Sequence, residues 1–289
     1  MKFRENANSP IIVTGMHRSG TSLLSKLLQD AGVFMGQPLE ANQESTFFLR
    51  FNGWVFKQLG CSWDNVYNYK FADQNFFDHI KKVYLNHTKS ILSIKYLGLS
   101  KYVKYKGLNN IDIPWGWKDP RNSITLNFWK QVYPSAKIIH IYRNPLDVAM
   151  SLKTRSEKSQ ASYKSSFTSK LRESSLAGRV GYCNSYRVLS IEEGYNLWRD
   201  YVGFCLEEND SLHIGYESLS QSPVSNLKRI FDYIDISLSE KSLRELSAQI
   251  NSKKSFGFVS DESAAKFYQT VKNDTLMKEL GYSDIEVAS

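Results

Sequence analysis

The stretch Pro10–Asp30, PIIVTGMHRSGTSLLSKLLQD, limits what this chain can become. Ile11, Ile12 and Val13 form a short β-branched run, the pattern of a buried strand. The run breaks at Gly15, crosses small and polar residues, and restarts at Thr21 with Leu23, Leu24, Leu27 and Leu28 at helical spacing. A strand, a glycine-bounded loop and a helix N-terminus together make an anion cradle. Backbone N–H groups of Ser19, Gly20, Thr21 and Ser22 converge there, and the positive end of the helix dipole adds to the field. Gly15 and Gly20 supply the positive φ and close approach that a Cβ forbids.

The spacing Gly15-x4-Gly20 matches a P-loop, but Thr21 stands where an ATP-binding P-loop carries Lys. The cation comes earlier, at Arg18, and no strand ending in a Walker-B Asp is evident. The loop therefore reads as one for a phosphate that arrives without a metal.

The 289 residues carry a net charge of +8, which points to an anionic partner: nucleotide, nucleic acid, acidic glycan or membrane surface. Cys61, Cys183 and Cys205 have no CxxC spacing, so a disulfide framework or zinc site is not expected and a reducing, cytoplasmic setting fits. The five histidines show no HExxH-like grouping, and no metal is expected. The polar start MKFRENANSP has no apolar leader core, and no apolar run approaches a membrane span.

Strands and helices alternate along the chain without a repeat or a composition break, which predicts one α/β domain over 1–289 around a parallel sheet. Helices are expected at 46–59, 74 to about 97, 122–133 (capped at Asn122 or Ser123), 191–208 and 223–236. Strands are expected at 111–120 in part, 137–142 and 212–216. Pro145 suits the first turn of the helix LDVAMSL. His140, inside the strand KIIHIY, reads as a core histidine. The Ser- and Lys/Arg-rich segment 153–187 reads either as a solvated surface or as a basic lid.

Tyr142–Ser151, YRNPLDVAMS, makes a second anion site: Arg143 leaves a strand and Ser151 lies about two helical turns on. Ligands of open α/β sheets bind at the carboxyl ends of strands. Two such sites imply a ligand with phosphates at both ends.

GMHRSGTS (Gly15–Ser22) followed by YRNPLDVAMS resembles the two cofactor signatures of sulfotransferases that use 3′-phosphoadenosine 5′-phosphosulfate (PAPS). The likeness extends through WGWKDPR (Trp115–Arg121) and IGYESLSQSP (Ile214–Pro223), and is nearest the bacterial and carbohydrate-type branches. It implies a P-loop-type three-layer α/β sandwich with a central parallel sheet. It also implies that Gly15, His17, Arg18, Ser19, Gly20, Thr21 and Ser22 line the 5′-phosphosulfate loop. Arg143 and Ser151 then take the 3′-phosphate, and Tyr216 approaches the adenine. Ser252-Lys253-Lys254 is a loose counterpart of the family's basic closing loop.

Sulfonyl transfer is an in-line displacement that, like phosphoryl transfer, rests on positioning and charge neutralisation. Arg18 and Lys118 are the candidates to neutralise the leaving group. Glu44, in NQESTFFLRFN ahead of an F-x-x-x-N helix, matches the catalytic glutamate of carbohydrate-type members. Asp119 is the reserve base, or else a structural carboxylate paired with Arg121. The expected acceptor is a sugar or glycolipid hydroxyl, or an amine. The competing readings are a P-loop kinase or NTPase, which Thr21 disfavours, and a non-catalytic nucleotide- or nucleic-acid-binding protein. The basic 153–187 segment has no recognisable nucleic-acid fold, and no nucleic-acid partner is expected.

Overall fold

The computed structural model describes residues 2–3, 9–37, 39–40, 42–168, 182–250 and 255–287. Among them are strands β1 (Lys2–Phe3), β2 (Ile11–Thr14), β3 (Gly116–Lys118), β4 (Lys137–Tyr142), β5 (Leu212–Gly215) and β6 (Ile236–Ser237). The helices begin with α1 (Thr21–Asp30), α2 (Thr46–Gln58), α3 (Gln74–Lys89), α4 (Ile94–Tyr105), α5 (Asn122–Val132) and α6 (Pro145–Ser165). They continue with α7 (Ile191–Leu206), α8 (Tyr216–Gln221), α9 (Pro223–Tyr233), α10 (Glu240–Ser247), α11 (Glu262–Val271) and α12 (Thr275–Glu279). The chain forms two compact units, residues 1–142 with 201–253, and residues 143–200 with 254–289.

The first unit holds a four-stranded parallel sheet of order β3-β2-β4-β5. Side chains alternate across its faces. Ile11, Val13, Ile139, Ile141 and Ile214 pack with Leu24, Leu27 and Leu28 of α1 and Leu227 and Ile230 of α9 in one aliphatic core. The other face is aromatic. Phe48 of α2 stacks on Trp117 of β3 at 3.8 Å with rings 1° from parallel, and Trp129 of α5 meets Trp117 edge-on at 4.9 Å. Such pairs are worth about 0.5–1.5 kcal/mol beyond their buried area. Helices on both faces of a parallel sheet make the expected α/β sandwich. β1 and β6 form a separate antiparallel pair.

Buried His140 pairs in register with His213, with the two Nδ1 atoms 3.0 Å apart. Burial first, and His213 second, push His140 down to about 3, so it stays neutral in the core as expected. The helix expected from Gln74 to about Leu97 ends at Lys89, because Ser90 turns extended (ψ 171°) and its Oγ accepts from Leu92 N to start a new turn. Helix α5 is not capped by Asn122 or Ser123: Arg121 is its N-cap, and the Asp119 carboxylate accepts the Arg121 N–H at 3.0 Å. Strand β5 stops at Gly215, so Tyr216 opens α8.

In the second unit Pro145 starts α6, and Asn144 caps it by accepting from Leu146 N at 3.0 Å and Asp147 N at 3.3 Å. This helix runs to Ser165, so the first third of the basic segment 153–187 is helical; residues 169–181 lie outside the described residues. No helix among the described residues is long and apolar enough to cross a membrane.

Candidate active site

The loop between β2 and α1 has the geometry its sequence demands. A Cβ on Gly15 (φ +141°) would run into the carbonyl oxygen of Ile141 on β4. The loop entrance is pinned instead by Ser123 of α5, whose Oγ lies 2.8 Å from Thr14 Oγ1 and accepts from Gly15 N at 3.2 Å. Ser19 N donates to Met16 O at 3.1 Å, and exposed Arg18 sits at the crest with φ 72°.

Gly20 (φ 101°) is the N-cap of α1 and gives it no side-chain cap. The first N–H groups of a helix have no acceptor within it, so this end of α1 is left ready for an anion. Ser19 Oγ is buried with no hydrogen-bond partner among the described residues, a second donor suited to a phosphoryl oxygen. Ser22 is committed differently: its hydroxyl donates to Asn42 O at 2.8 Å and ties the segment before Glu44 to the first turn of α1. Thr21 is buried at the same turn. Tyr216 comes so close to Gly20 that a Cβ there would stand 2.7 Å from its ring.

His17 packs edge-on against Trp63 at 5.0 Å and Tyr201 at 6.0 Å, and Tyr201 OH donates to Trp63 O at 2.7 Å. Neither Trp63 nor Tyr201 was legible as a site residue, because 138 residues separate them and no local pattern links them.

β3 carries the second group. Its register opposite β2, Val13 against Lys118, places Lys118 beside the strand that feeds the loop. Lys118 is 1% exposed and donates to Glu44 Oε1 at 2.9 Å. Burial, aided by nearby Asp119, raises the Glu44 carboxyl above its ordinary range despite the opposing pull of Lys118. A buried carboxylate with a raised pKa suits proton abstraction near neutral pH.

Asp119 sits in a tighter net. Its Oδ1 accepts from Arg121 N and Nε at 3.0 Å each, and its Oδ2 accepts from Arg121 Nη2 at 2.8 Å and Asn52 Nδ2 at 2.9 Å. Asn52 also donates to Asn122 Oδ1 at 2.9 Å. The F-x-x-x-N spacing pointed to Asn52, though not to its role of holding Asp119.

The second unit holds Arg143 and Ser151. Arg143 Nη2 is 2.8 Å from Asp147 Oδ2, a pair at i,i+4 on the start of α6. Asp147 Oδ1 accepts from Phe258 N at 2.9 Å, and Trp198 Nε1 donates to Arg143 O at 3.0 Å. Arg143 is thus held by its side chain and its backbone. Ser151 is half-buried on the same helix. Ser252, Lys253 and Lys254 lie outside the described residues. Among the described residues no three or more His, Cys, Asp or Glu side chains are grouped to hold a metal ion.

This sheet, with an uncapped helix end and a buried carboxyl–ammonium pair at its edge, defines an α/β protein of the P-loop type. The family model described as "Sulfotransferase family" matches residues 10–240. The chain belongs to the sulfotransferase family, in which PAPS is the sulfonyl donor. It is similar to the sulfotransferase STF9 of Mycobacterium avium, with 16% identity over 97% of this chain and 78% of that one, at TM-score 0.46. It is similar to the sulfotransferase domain of the Synechococcus PCC 7002 olefin synthase, with 17% identity over 100% and 93% of the two chains, at TM-score 0.45. It is also similar to mouse sulfotransferase SULT7A1, crystallised with PAP, with 15% identity over 96% and 90%, at TM-score 0.37. No curated protein sequence matches it.

Proposed function

We propose that this chain moves the sulfonyl group of PAPS to a hydroxyl of a sugar or glycolipid, with residues 1–289 serving as one catalytic domain. The observation that carries the reading is the Glu44–Lys118 pair at the edge of the sheet that feeds the phosphate loop. The N–H groups at the start of α1 and the Ser19 hydroxyl receive the 5′-phosphate, and Gly15 and Gly20 let the backbone approach it. Thr21 and Ser22 contribute there, Ser22 through its N–H because its hydroxyl is committed to Asn42. His17 packs beneath the loop crest, and Tyr216 borders the adenine. Arg143 and Ser151 take the 3′-phosphate.

In the reaction an acceptor oxygen attacks sulfur in line while the bond from sulfur to the phosphate oxygen breaks. Glu44 receives the acceptor's proton. Arg18 and Lys118 balance the charge that develops on the departing adenosine 3′,5′-bisphosphate (PAP), the kind of stabilisation that dominates such transfers. Asp119, with four hydrogen bonds, positions Arg121 and Asn52 and leaves the base role to Glu44. The cytoplasm is proposed as its compartment, on the spacing of Cys61, Cys183 and Cys205.

The test is transfer from labelled PAPS to a panel of sugars, glycolipids and phenols, alongside calorimetry with PAP. Label on sugar hydroxyls is expected. Label on phenols alone overturns the acceptor class, and absence of PAP binding overturns the donor assignment.

A further inference from the structure

From His79 to Ile111 the chain runs for 33 residues with seven lysines and no Asp or Glu. Lys81, Lys82 and Lys89 lie on α3, Lys95, Lys101 and Lys104 on α4, and Lys106 just after it. The same segment breaks the usual rule for aliphatic side chains. Ile91 is 67% exposed, Leu99 70%, Val103 65% and Leu92 36%. Leu99 and Val103 lie one turn apart and so share a face of α4.

Leu92 also lines a groove of about 350 Å³, within the size range of small-molecule sites. Its walls are Phe47, Phe51 and Trp54 of α2, Val83 of α3 and Leu92 of the turn, and its polar groups are Arg50, His87 and Lys95. Among the described residues lining it there is no carboxylate. His87 Nδ1 lies 2.7 Å from Val83 O, so that nitrogen carries the proton and donates. An apolar channel with only basic polar groups is complementary to a ligand with a hydrocarbon body and an anionic head.

We propose that this face of the first unit docks on an anionic phospholipid bilayer. The groove takes the acyl chain of one lipid, Arg50 and Lys95 meet its phosphate, and Ile91, Leu92, Leu99 and Val103 rest among the neighbouring lipids. Lysines interspersed with exposed aliphatics suit an interface at which stems lie in the apolar layer and ammonium groups reach the head groups. A protein interface would be depleted of lysine at its centre. A single-stranded nucleic acid would call for exposed aromatic platforms, and the exposed groups here are aliphatic. One of the seven cations is partly offset, because Lys104 pairs with Asp112 at 3.1 Å. The inference stands apart from the sulfonyl-transfer reading, since none of these residues has a role in it.

The experiment is flotation of the full chain with vesicles of phosphatidylcholine alone and of phosphatidylcholine mixed with phosphatidylglycerol. Binding is expected to the mixed vesicles, weakening as salt is raised. A basic side chain near a charged membrane contributes about fivefold, so Lys89→Ala with Lys95→Ala should lower partition about 25-fold. Leu99→Glu with Val103→Glu should abolish it while leaving the melting temperature and transfer to a soluble acceptor unchanged. Arg50→Glu should remove binding of dodecyl phosphate, a soluble probe for the groove. The proposal is overturned by equal binding to neutral vesicles, by no vesicle binding, or by binding that survives the Leu99/Val103 change. Dodecyl phosphate binding untouched by Arg50→Glu overturns the groove as the lipid site. Retention of RNA or a protein in place of vesicles overturns the choice of partner.

Discussion

Glu44 and Asp119 are both buried carboxylates beside a cation in the same unit, and they differ in how completely they are bonded. Asp119 accepts four hydrogen bonds, three of them from Arg121. Among the described residues the Glu44 carboxylate receives one, from Lys118, and its carboxyl is raised by burial. A saturated carboxylate has no lone pair to offer a proton and serves as a bracket. An undersatisfied one, whose charge is costly, gains by taking a proton. The number of bonds each acid already makes is what favours Glu44 over Asp119 in the proposed role of base.

The largest test of that contrast is Glu44→Gln. It should lower kcat by about 10²- to 10⁴-fold, the range for a lost general base, with PAP affinity by calorimetry unchanged. Full activity would move the base to Asp119 or elsewhere. Asp119→Asn should do the reverse. Removing one partner of a buried pair costs about 3–5 kcal/mol, so this change should show as a fall in melting temperature, with turnover per folded molecule little altered. Next in size is Arg18→Ala, which should lower kcat by about a hundredfold. Arg143→Ala should weaken PAP binding by roughly ten- to a hundredfold, from the loss of a charge-assisted hydrogen bond. An unchanged affinity would show that the 3′-phosphate is held elsewhere.

The finest test is pH. The Glu44 carboxyl is raised in the folded protein from an ordinary value of 4.5, and a base works only when ionised. The acid limb of kcat/KM should therefore fall above that ordinary value and vanish in Glu44→Gln. The linked stability has the opposite sense. The folded state holds this proton more tightly, so stability falls as pH rises from 4.5 through the folded pKa. Denaturant titrations of the native and Glu44→Gln proteins across that window would measure it.

Much of this was legible in the sequence wherever local rules decide. The break from β-branched residues to glycine to leucine spacing located β2, the loop and α1, and Asn144-Pro145 located the start of α6. Glu44 and Lys118 were each visible as candidates, but their contact spans 74 positions and needed the fold. The break at Ser90 was hidden because Ile94 and Leu97 continue the helical spacing of α3, while a side chain bonding its own neighbour two positions on ends the helix. The start of α5 differs from the expectation for a related reason: Asp119 fixes Arg121, and Arg121 rather than Asn122 or Ser123 becomes the N-cap, with no side chain capping the helix. The pairing of Asp147 with Arg143 was not legible, because Arg143 lies before α6 begins at Pro145 and the i,i+4 rule for helices does not reach it.

The aromatic face of the sheet has an optical consequence. Trp115 and Trp117 lie 6.1 Å apart, Trp117 and Trp129 4.9 Å, and Phe48 is stacked flat on Trp117. Indoles so near one another in fixed orientation couple their transitions, so near-ultraviolet dichroism should carry an intense, structured band from this trio. Loss of fixed side-chain packing erases such bands while far-ultraviolet signal persists. The chain thus contains its own gauge for whether a variant at Asn52 or Asp119, which sit beneath this face, has merely loosened its packing or has lost its helices too.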